Sequence, residues 1–578
     1  MNALLLLLVC GGGFLVAYHT YGRFLGSKIF GLDPQARVPS RAREDGTDFV
    51  PTKKGVIFGH HYTSIAGTGP IVGPAIGLIW GWLPALIWVF FGSIFIGAVH
   101  DFGSLIVSMR NEGESLSEVA ARYINKRVRL IFFILIFLIL LIIIAVFGVV
   151  IAAVFHRFPS SVVPVWLQIP IAVLLGRAIY SRGYPIIFST AIAVLAMYSS
   201  MILGGFFPVD FSSALGLPAT GFWVLILLIY AYFASTLSVK TLLQPRDYIN
   251  AWQLFIAMGL LAMGTITISA MGNGAMVAPA VNPAIPAGTP PMFPFLFIII
   301  ACGAVSGFHS LVASGTSPKQ VASEKDARFI GYGAMLMEGV LALLVVICAG
   351  AGIGLGYKLA NGTTLFGADA WNHFYSSWIG SRGLADKLSP VIEGASNLVE
   401  SMGFPEIFGI TVMGVFIASF ASTTLDTAVR LQRYIVVELA EDFAVKKLTN
   451  RWTATLLCVG SAAALAFVSG ADGTGAMKLW PLFGSANQLL AAMALLLVTL
   501  YLQSRGGLKW LFAGLPCIFM VFISNWSILE NGKIFISQGN WLLVAMDGVF
   551  LLLSFWITLE AVITFFRYRG IAEEVPLQ

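Results

Sequence analysis

Ile65-Ala66-Gly67-Thr68-Gly69-Pro70-Ile71-Val72-Gly73-Pro74 lies within an otherwise apolar run near residues 64–80. Glycine and proline interrupt the hydrogen-bond ladder of a helix, and the backbone groups they free cannot face hydrocarbon. Such a stretch persists only where the backbone lines a cavity or is buried in protein. A second stretch, Cys302-Gly303-Ala304-Val305-Ser306-Gly307-Phe308-His309-Ser310, interrupts the run near 293–316 without a proline in its middle. Close helix packing through small residues is the plainer account of both; the Pro70 and Pro74 pair weighs against it in the first. Two matched interruptions point instead to a binding site between inverted repeats.

The rest of the chain makes a membrane the frame for these breaks. Of 578 residues, 58% are apolar and 11% charged, and mean hydropathy is +0.87. A water-soluble domain carries about 25% charged residues, so most of this surface must face lipid. A spanning helix needs about 20 apolar residues. Fifteen candidates stand near 2–22, 64–80, 82–109, 130–155, 163–178, 184–204, 221–239, 249–271, 293–316, 329–356, 404–427, 453–469, 479–501, 510–525 and 542–566. The first lacks the basic residues before it and the small-residue cleavage site after it that mark a signal peptide, and is read as a retained helix. The expected fold is all-α and polytopic.

Lys and Arg test this count, because cytoplasmic loops collect them. With the N-terminus outside, 28 of the 34 fall inside, in 23–54, 110–129, 177–182, 240–246, 319–328, 430–451, 505–509 and at Arg567 and Arg569. The other six, Arg157, Lys358, Arg382, Lys387, Lys478 and Lys533, fall outside. A missed helix would scramble this segregation, so fifteen helices with the C-terminus inside is the expectation. The two interrupted segments then run in opposite directions, as inverted repeats require. If each opens a five-helix repeat, the chain divides into an extra helix and loop (1–54), a first repeat (55–206), an inserted pair (207–292), a second repeat (293–502) and a terminal pair with its tail (503–578). The longest outside stretch, 357–403, is placed where an outer gate would sit.

Several longer motifs resemble the carbon starvation protein A family of bacterial inner-membrane transporters. They are Gly59-His60-His61 through Gly73-Pro74, Gly97-Ala98-Val99-His100-Asp101-Phe102, and Leu243-Gln244-Pro245-Arg246-Asp247-Tyr248. They continue with Gly303 through Thr316, Thr423-Thr424-Leu425-Asp426-Thr427, Arg430-Leu431-Gln432-Arg433-Tyr434, Leu479 through Gly484, and Ala486-Asn487-Gln488. The resemblance covers roughly residues 55–500. It implies uptake of peptides or of pyruvate, and kinship with the amino acid–polyamine–organocation transporters and their LeuT-type 5+5 fold.

An ionisable side chain within a span costs several kcal/mol unless paired, which makes it a functional candidate. Asp101, nine residues before Arg110 and so roughly 13 Å along a helix, stands beside His100; Glu338 has similar depth. Both are candidates for ion coupling, against a structural hydrogen-bonded acid. His309 is the one histidine in an interrupted segment and titrates near neutrality. Asp426 is a further ion-coupling candidate, against an interfacial ion pair with Arg430, four residues on and at helical ion-pair spacing. Ser422, Thr423 and Thr424 either complete a sodium site with carbonyls of the first break or bond their own helix. Adjacent His60 and His61 cannot point the same way on a helix, which makes a two-His metal site a poor reading. Gln244-Pro245-Arg246-Asp247 reads as a structural corner held by an Arg–Asp contact, and Asn487 and Gln488 as packing residues.

Substrate is expected between Gly67, Thr68, Gly69 and Pro70 on one side and Ser306, Gly307, Phe308, His309 and Ser310 on the other. Half-helix N-terminal ends there would offer N–H groups to a carboxylate. The expected function is import of small carboxylate-bearing nutrients by alternating access, coupled to protons or to sodium. No cofactor, resident metal or nucleic-acid partner is expected, and the oligomeric state stays open. The five cysteines read as inert packing thiols. A Walker A motif, HExxH and GxSxG are missing from the sequence, which argues against ATP-driven pumping by this chain alone and against an intramembrane enzyme. A sensor built on a transporter fold is the alternative, although only twelve residues follow Phe566. A continuous channel fits the two breaks less well.

Overall fold

The computed structural model describes residues 1–359, 361–378 and 384–567. Arg382, Arg569 and the tail after 567 lie outside the described residues. In chain order the principal helices are α1 (Ala3–Ile29), α2 (Lys54–Ile65), α3 (Gly69–Trp80), α4 (Trp82–Met109), α5 (Leu116–Tyr123), α6 (Lys126–Arg157) and α7 (Pro159–Ser181). Then come α8 (Ile186–Phe206), α9 (Ala219–Thr236), α10 (Leu243–Ala270), α11 (Met292–Ile299), α12 (Gly307–Gly315), α13 (Glu324–Leu355), α14 (Gly367–Tyr375) and α15 (Leu384–Glu400). Last are α16 (Glu406–Asp442), α17 (Arg451–Phe467), α18 (Gly475–Ser504), α19 (Leu511–Ser537) and α20 (Trp541–Arg567).

Twelve of these are long and apolar enough to cross a membrane, and α2 with α3, bent by 45° at their break, makes a thirteenth. The remaining two expected segments fall short of that measure. α17 has 17 residues, and the ninth segment is divided into α11 and α12, of 8 and 9 residues. At 1.5 Å per residue each half reaches only about 12–14 Å. The stretch 357–403, expected outside, also differs from a plain loop: it carries α14 and α15.

The local causes are ordinary ones. α6 opens where the Asn125 side chain accepts from the N–H groups of Arg127 (3.0 Å) and Val128 (2.9 Å), an N-cap. It runs through unbroken Leu/Ile/Phe/Val and stops before Pro159. α18, α13 and α16 are buried almost throughout, whereas α1, α8 and α20 are largely exposed. Their outward Leu8, Ile187, Leu195 and Phe555 would be an aggregation patch in water and are a natural lipid face.

The two interruptions meet. A Cβ on Gly69 would lie 2.4 Å from Cys302 Sγ and 2.5 Å from its Cβ. Gly303 holds φ +90°, in the left-handed region open to glycine. Gly67 approaches Thr424 of α16 and Phe147 of α6, so both breaks sit at the centre of the bundle.

Four of the basic segments assigned to the inside gather at one end. Arg110 donates to the carbonyls of Phe30 (2.9 Å) and Gly31 (3.1 Å) and pairs with Glu324; Val50 N–H donates to Lys319 O (2.9 Å). Asp48 is clasped by Arg430 (2.8 Å), Arg433 (3.5 Å) and the Tyr434 hydroxyl (2.8 Å). Burial pushes the Asp48 carboxyl up, but Arg430, Arg433, Lys319 and Tyr434 outweigh it and hold it well below the usual carboxylate range.

Two stability predictions follow from these contacts. Gly69→Ala overpacks the crossing by about 1–3 kcal/mol, and Cys302→Gly in the same chain recovers most of that in thermal melts of detergent-solubilised protein. A Gly69→Ala protein as stable as wild type would dispose of the contact as a constraint. Asp48→Asn leaves Arg430 buried without its counter-charge, a loss of about 3–5 kcal/mol read in the same melts. Because its folded pKa is depressed, the Asp48 contribution is complete above the ordinary value of about 3.9. It disappears only as pH falls through the still lower folded value, so the deficit of Asp48→Asn should not change between pH 5 and 8.

Candidate functional site

α4 enters its second half through a wide turn at Ser93–Gly97, a feature that re-aims the side chains after it and is frequent at functional sites. His100 and Asp101 follow it. His100 Nδ1 lies 2.7 Å from Asp101 Oδ1, and the other carboxylate oxygen lies 3.0 Å from His309 Nδ1 on α12. His309 Nε2 stands 3.3 Å from Glu338 Oε2 on α13, an ion-pair distance, and neither atom has another hydrogen-bond partner. Glu338 Oε1 accepts from the N–H of Gly303 (3.1 Å), inside the second break. All four side chains are fully buried. A protonated His309 can donate to a carboxylate on either face, so a proton added at one acid can be passed to the other.

Cys302 extends this group. Its Sγ, a ring nitrogen of His309 and a Glu338 oxygen lie within 4.8 Å of one another, the one such donor cluster found among the described residues. Ligands of a tetrahedral ion stand about 3.3–3.5 Å apart, given bonds of about 2.0–2.3 Å. The bond to Asp101 uses His309 Nδ1, so Nε2 is the ring nitrogen that faces Glu338.

The outcome for the other candidates is mixed. Ser306 and the N–H of Phe308 are not open to a ligand: Asn487 Oδ1 accepts from both, at 3.3 and 2.9 Å. The N-terminal end of α12, expected to receive a carboxylate, is thus capped by an amide from α18. Ser310 bonds the Gly307 carbonyl (2.6 Å). Ser422, Thr423 and Thr424 donate to the carbonyls of Ala418, Ser419 and Phe420, one turn back on their own helix. Thr68 and Pro70 are buried or nearly so at the first break.

Asp426 does not pair with Arg430. That guanidinium reaches Asp48 and the carbonyls of Ala234 and Leu237, which leaves Asp426 to Arg246. Arg246 Nη2–H donates to Asp426 Oδ1 (3.0 Å) and Asp247 Oδ1 (2.8 Å), and Nη1 bonds Asp426 Oδ2 and the Tyr230 oxygen. The expected Arg246–Asp247 contact is present, but in the first turn of α10 and not in a loop. His60 Nδ1 lies 2.6 Å from Asp247 Oδ2 and its Nε2 3.0 Å from Thr316 Oγ1, while His61 Nδ1 faces Ser317 Oγ (2.7 Å). The adjacent histidines thus bond different residues, His60 reaching Asp247 and Thr316 and His61 reaching Ser317.

The sequence reading therefore missed a second buried charge network, His60–Asp247–Arg246–Asp426. Its only local signal was the Arg-Asp dipeptide inside an apolar stretch; the partners are far off in the chain. Cys302, read as an inert thiol, was missed for the same reason.

Residues 2–527 match the family described as carbon starvation protein CstA. The chain belongs to the CstA family. It is 33% identical over 564 residues to a protein named "Peptide transporter CstA" from Helicobacter pylori, covering 91% of this chain and 82% of that one. It is 31% identical over 595 residues to "Pyruvate/proton symporter BtsT" of Escherichia coli, covering 91% and 81%. Among solved structures, the Eremococcus coleocola manganese transporter has a TM-score of 0.48 at 11% identity, over 91% of this chain and 99% of that one. MhsT in complex with L-phenylalanine has 0.46 at 12% identity, over 88% and 98%. The relatives are named as transporters, which puts this CstA-family chain among multi-pass membrane transport proteins and not among enzymes.

The capping of α12 by Asn487 is directly testable. Asn487→Ala strands the Phe308 N–H and the Ser306 hydroxyl at a cost of about 1–3 kcal/mol. Thermal melts should show that loss, and hydrogen exchange should show faster opening at residues 306–310. Unchanged exchange there would mean that the break is held by something else.

Proposed function

We propose that this chain imports a small carboxylate-bearing nutrient, a peptide or pyruvate, across the bacterial inner membrane by alternating access, driven by protons. The observation that carries the coupling is the buried Asp101–His309–Glu338 chain, whose last acid also holds the Gly303 N–H of the second break. A proton moving between the acids changes how strongly that break is held, which ties protonation to a hinge. Substrate passes between Gly67–Pro70 and Ser306–Ser310, a role supported by the contact of the two breaks, Gly69 against Cys302 and Pro70 against Gly303, at the centre of the bundle. The name of the Escherichia coli relative, a pyruvate/proton symporter, supports the same ion.

The orientation proposed is N-terminus out and C-terminus in, supported by the clustering of residues 23–54, 110–129, 319–328 and 430–451 at one end. The core proposed is a 5+5 inverted repeat, with its first repeat drawn differently from the sequence expectation. α10 packs on α2, with Gly59 against Tyr248 and Ala251, as α18 packs on α12, with Gly307 against Asn487. By that equivalence α9 and α10 close the first repeat, and the peripheral pair α7–α8 is the insertion.

Sodium is the second reading, kept because the first break lies against the Thr424 hydroxyl. Proteoliposomes with a proton or a sodium gradient imposed separately decide between the two. Labelled pyruvate or a di- or tripeptide should accumulate with the proton gradient alone. Asp101→Asn and Glu338→Gln should abolish accumulation yet keep exchange of substrate across the membrane at equal concentrations. Accumulation driven by sodium alone would transfer the role to Ser422–Thr424. No gradient-dependent accumulation of any of them, by folded protein, would sink the importer and favour the sensor.

A further inference from the structure

We propose that Arg246 is the station at which the substrate's carboxylate is held on the inner side of the breaks, and that Asp426 is the internal carboxylate it displaces. The proposal rests on the importer reading above and names the residue that recognises its substrate class.

Three observations lead there. First, the site expected to take a carboxylate, the N-terminal end of α12, is capped by Asn487. Second, Arg246 is a buried cation lining a small, partly open cavity with Trp166, Gln168, Tyr230, Ser419 and Ser422. The free space there is about 20 Å³, room for about one water, so this state leaves no space for a substrate beside the guanidinium. Third, amides just behind the wall are not all satisfied. Gln168 of the wall bonds Ser419 (2.7 Å) and Gln253 (3.2 Å), while Gln253 Nε2, and Asn250 Oδ1 one turn away on the same helix, are buried without partners. An apolar, aromatic-walled cavity with one cation and a few amides and hydroxyls is the chemistry that binds a small carboxylate.

Charge balance says how the exchange works. Arg246 faces Asp426 from α16, Asp247 from its own helix and the Tyr230 hydroxyl from α9; His60 of α2 reaches it through Asp247, and Arg430 lies one turn beyond Asp426. α7 contributes Trp166 and Gln168, neither charged. Arg430 is already committed to Asp48. One guanidinium between two carboxylates leaves a net negative charge in a low-dielectric interior, which is costly. A substrate carboxylate can replace Asp426 on the Arg246 fork without adding to that charge only if Asp426 takes up a proton. Substrate and proton therefore arrive together and leave together, one of each.

Isothermal titration of protein in nanodiscs, with whichever of pyruvate or dialanine the wild type accumulates and with its carboxamide, tests this. Wild type should bind the acid and not the amide, and should take up one proton per acid bound, read as the dependence of heat on buffer ionisation. Asp426→Asn should bind the acid with no proton uptake. Arg246→Gln should bind it about 10- to 100-fold more weakly; if that variant does not fold, the Asp426→Asn result decides. Proton uptake unchanged in Asp426→Asn, affinity within threefold in folded Arg246→Gln, or equal binding of acid and amide would each overturn the proposal and leave the importer reading intact. A wild type that neither binds nor accumulates any of these substrates would overturn both.

Discussion

A helix that stops in mid-membrane leaves N–H and C=O groups which hydrocarbon cannot satisfy, and this chain does so twice. The protein resolves both breaks by laying them against each other and packing the rest of the bundle around them. Gly69 lies on Cys302, Gly303 bonds Glu338, and Asn487 caps the restart of the second helix. Gly303 ties the second break to α13 and Phe308 ties it to α18, while Gly67 of the first lies against α16 and α6. The most buried helices, α13, α16 and α18, are among those that hold the broken ones.

The same crossing explains where the ionisable residues lie. Charges within a membrane persist only when paired, and here they form two chains of alternating acid and base. One, His100–Asp101–His309–Glu338, runs through the second break. The other, His60–Asp247–Arg246–Asp426, runs from the first helix to α16 through α10. His60 and His61 are neighbours in α2, and His61 lies within electrostatic reach of Asp101 and His309, so the two chains adjoin.

Much of the fold was legible beforehand because hydropathy acts locally. A run of Leu, Ile, Val and Phe long enough to span forms a helix whatever surrounds it, and Lys/Arg placement follows from the membrane and not from the packing. The fifteen segments were located on that basis, although two of them are shorter than a full crossing. His309, Asp101 and Glu338 were legible one by one as costly residues in spans. Arg246 was not: taken with its neighbour Asp247 it looked like a corner. Asp426 looked like the partner of Arg430 because the spacing allows that pair, but Arg430 is drawn away by Asp48, nearly four hundred residues off.

Composition, the two interruptions and the charge segregation determined, by themselves, a polytopic helical protein with its centre at two broken segments, since each of those signals depends on the solvent around a short piece of chain. Which acid meets which base was decided only by the tertiary structure. An ion pair forms between side chains that the packing brings within about 4 Å, and no local property of the sequence encodes that approach. The cap on Phe308, the place of α10 against α2 and the choice of Asp48 over Asp426 for Arg430 all belong to that second kind.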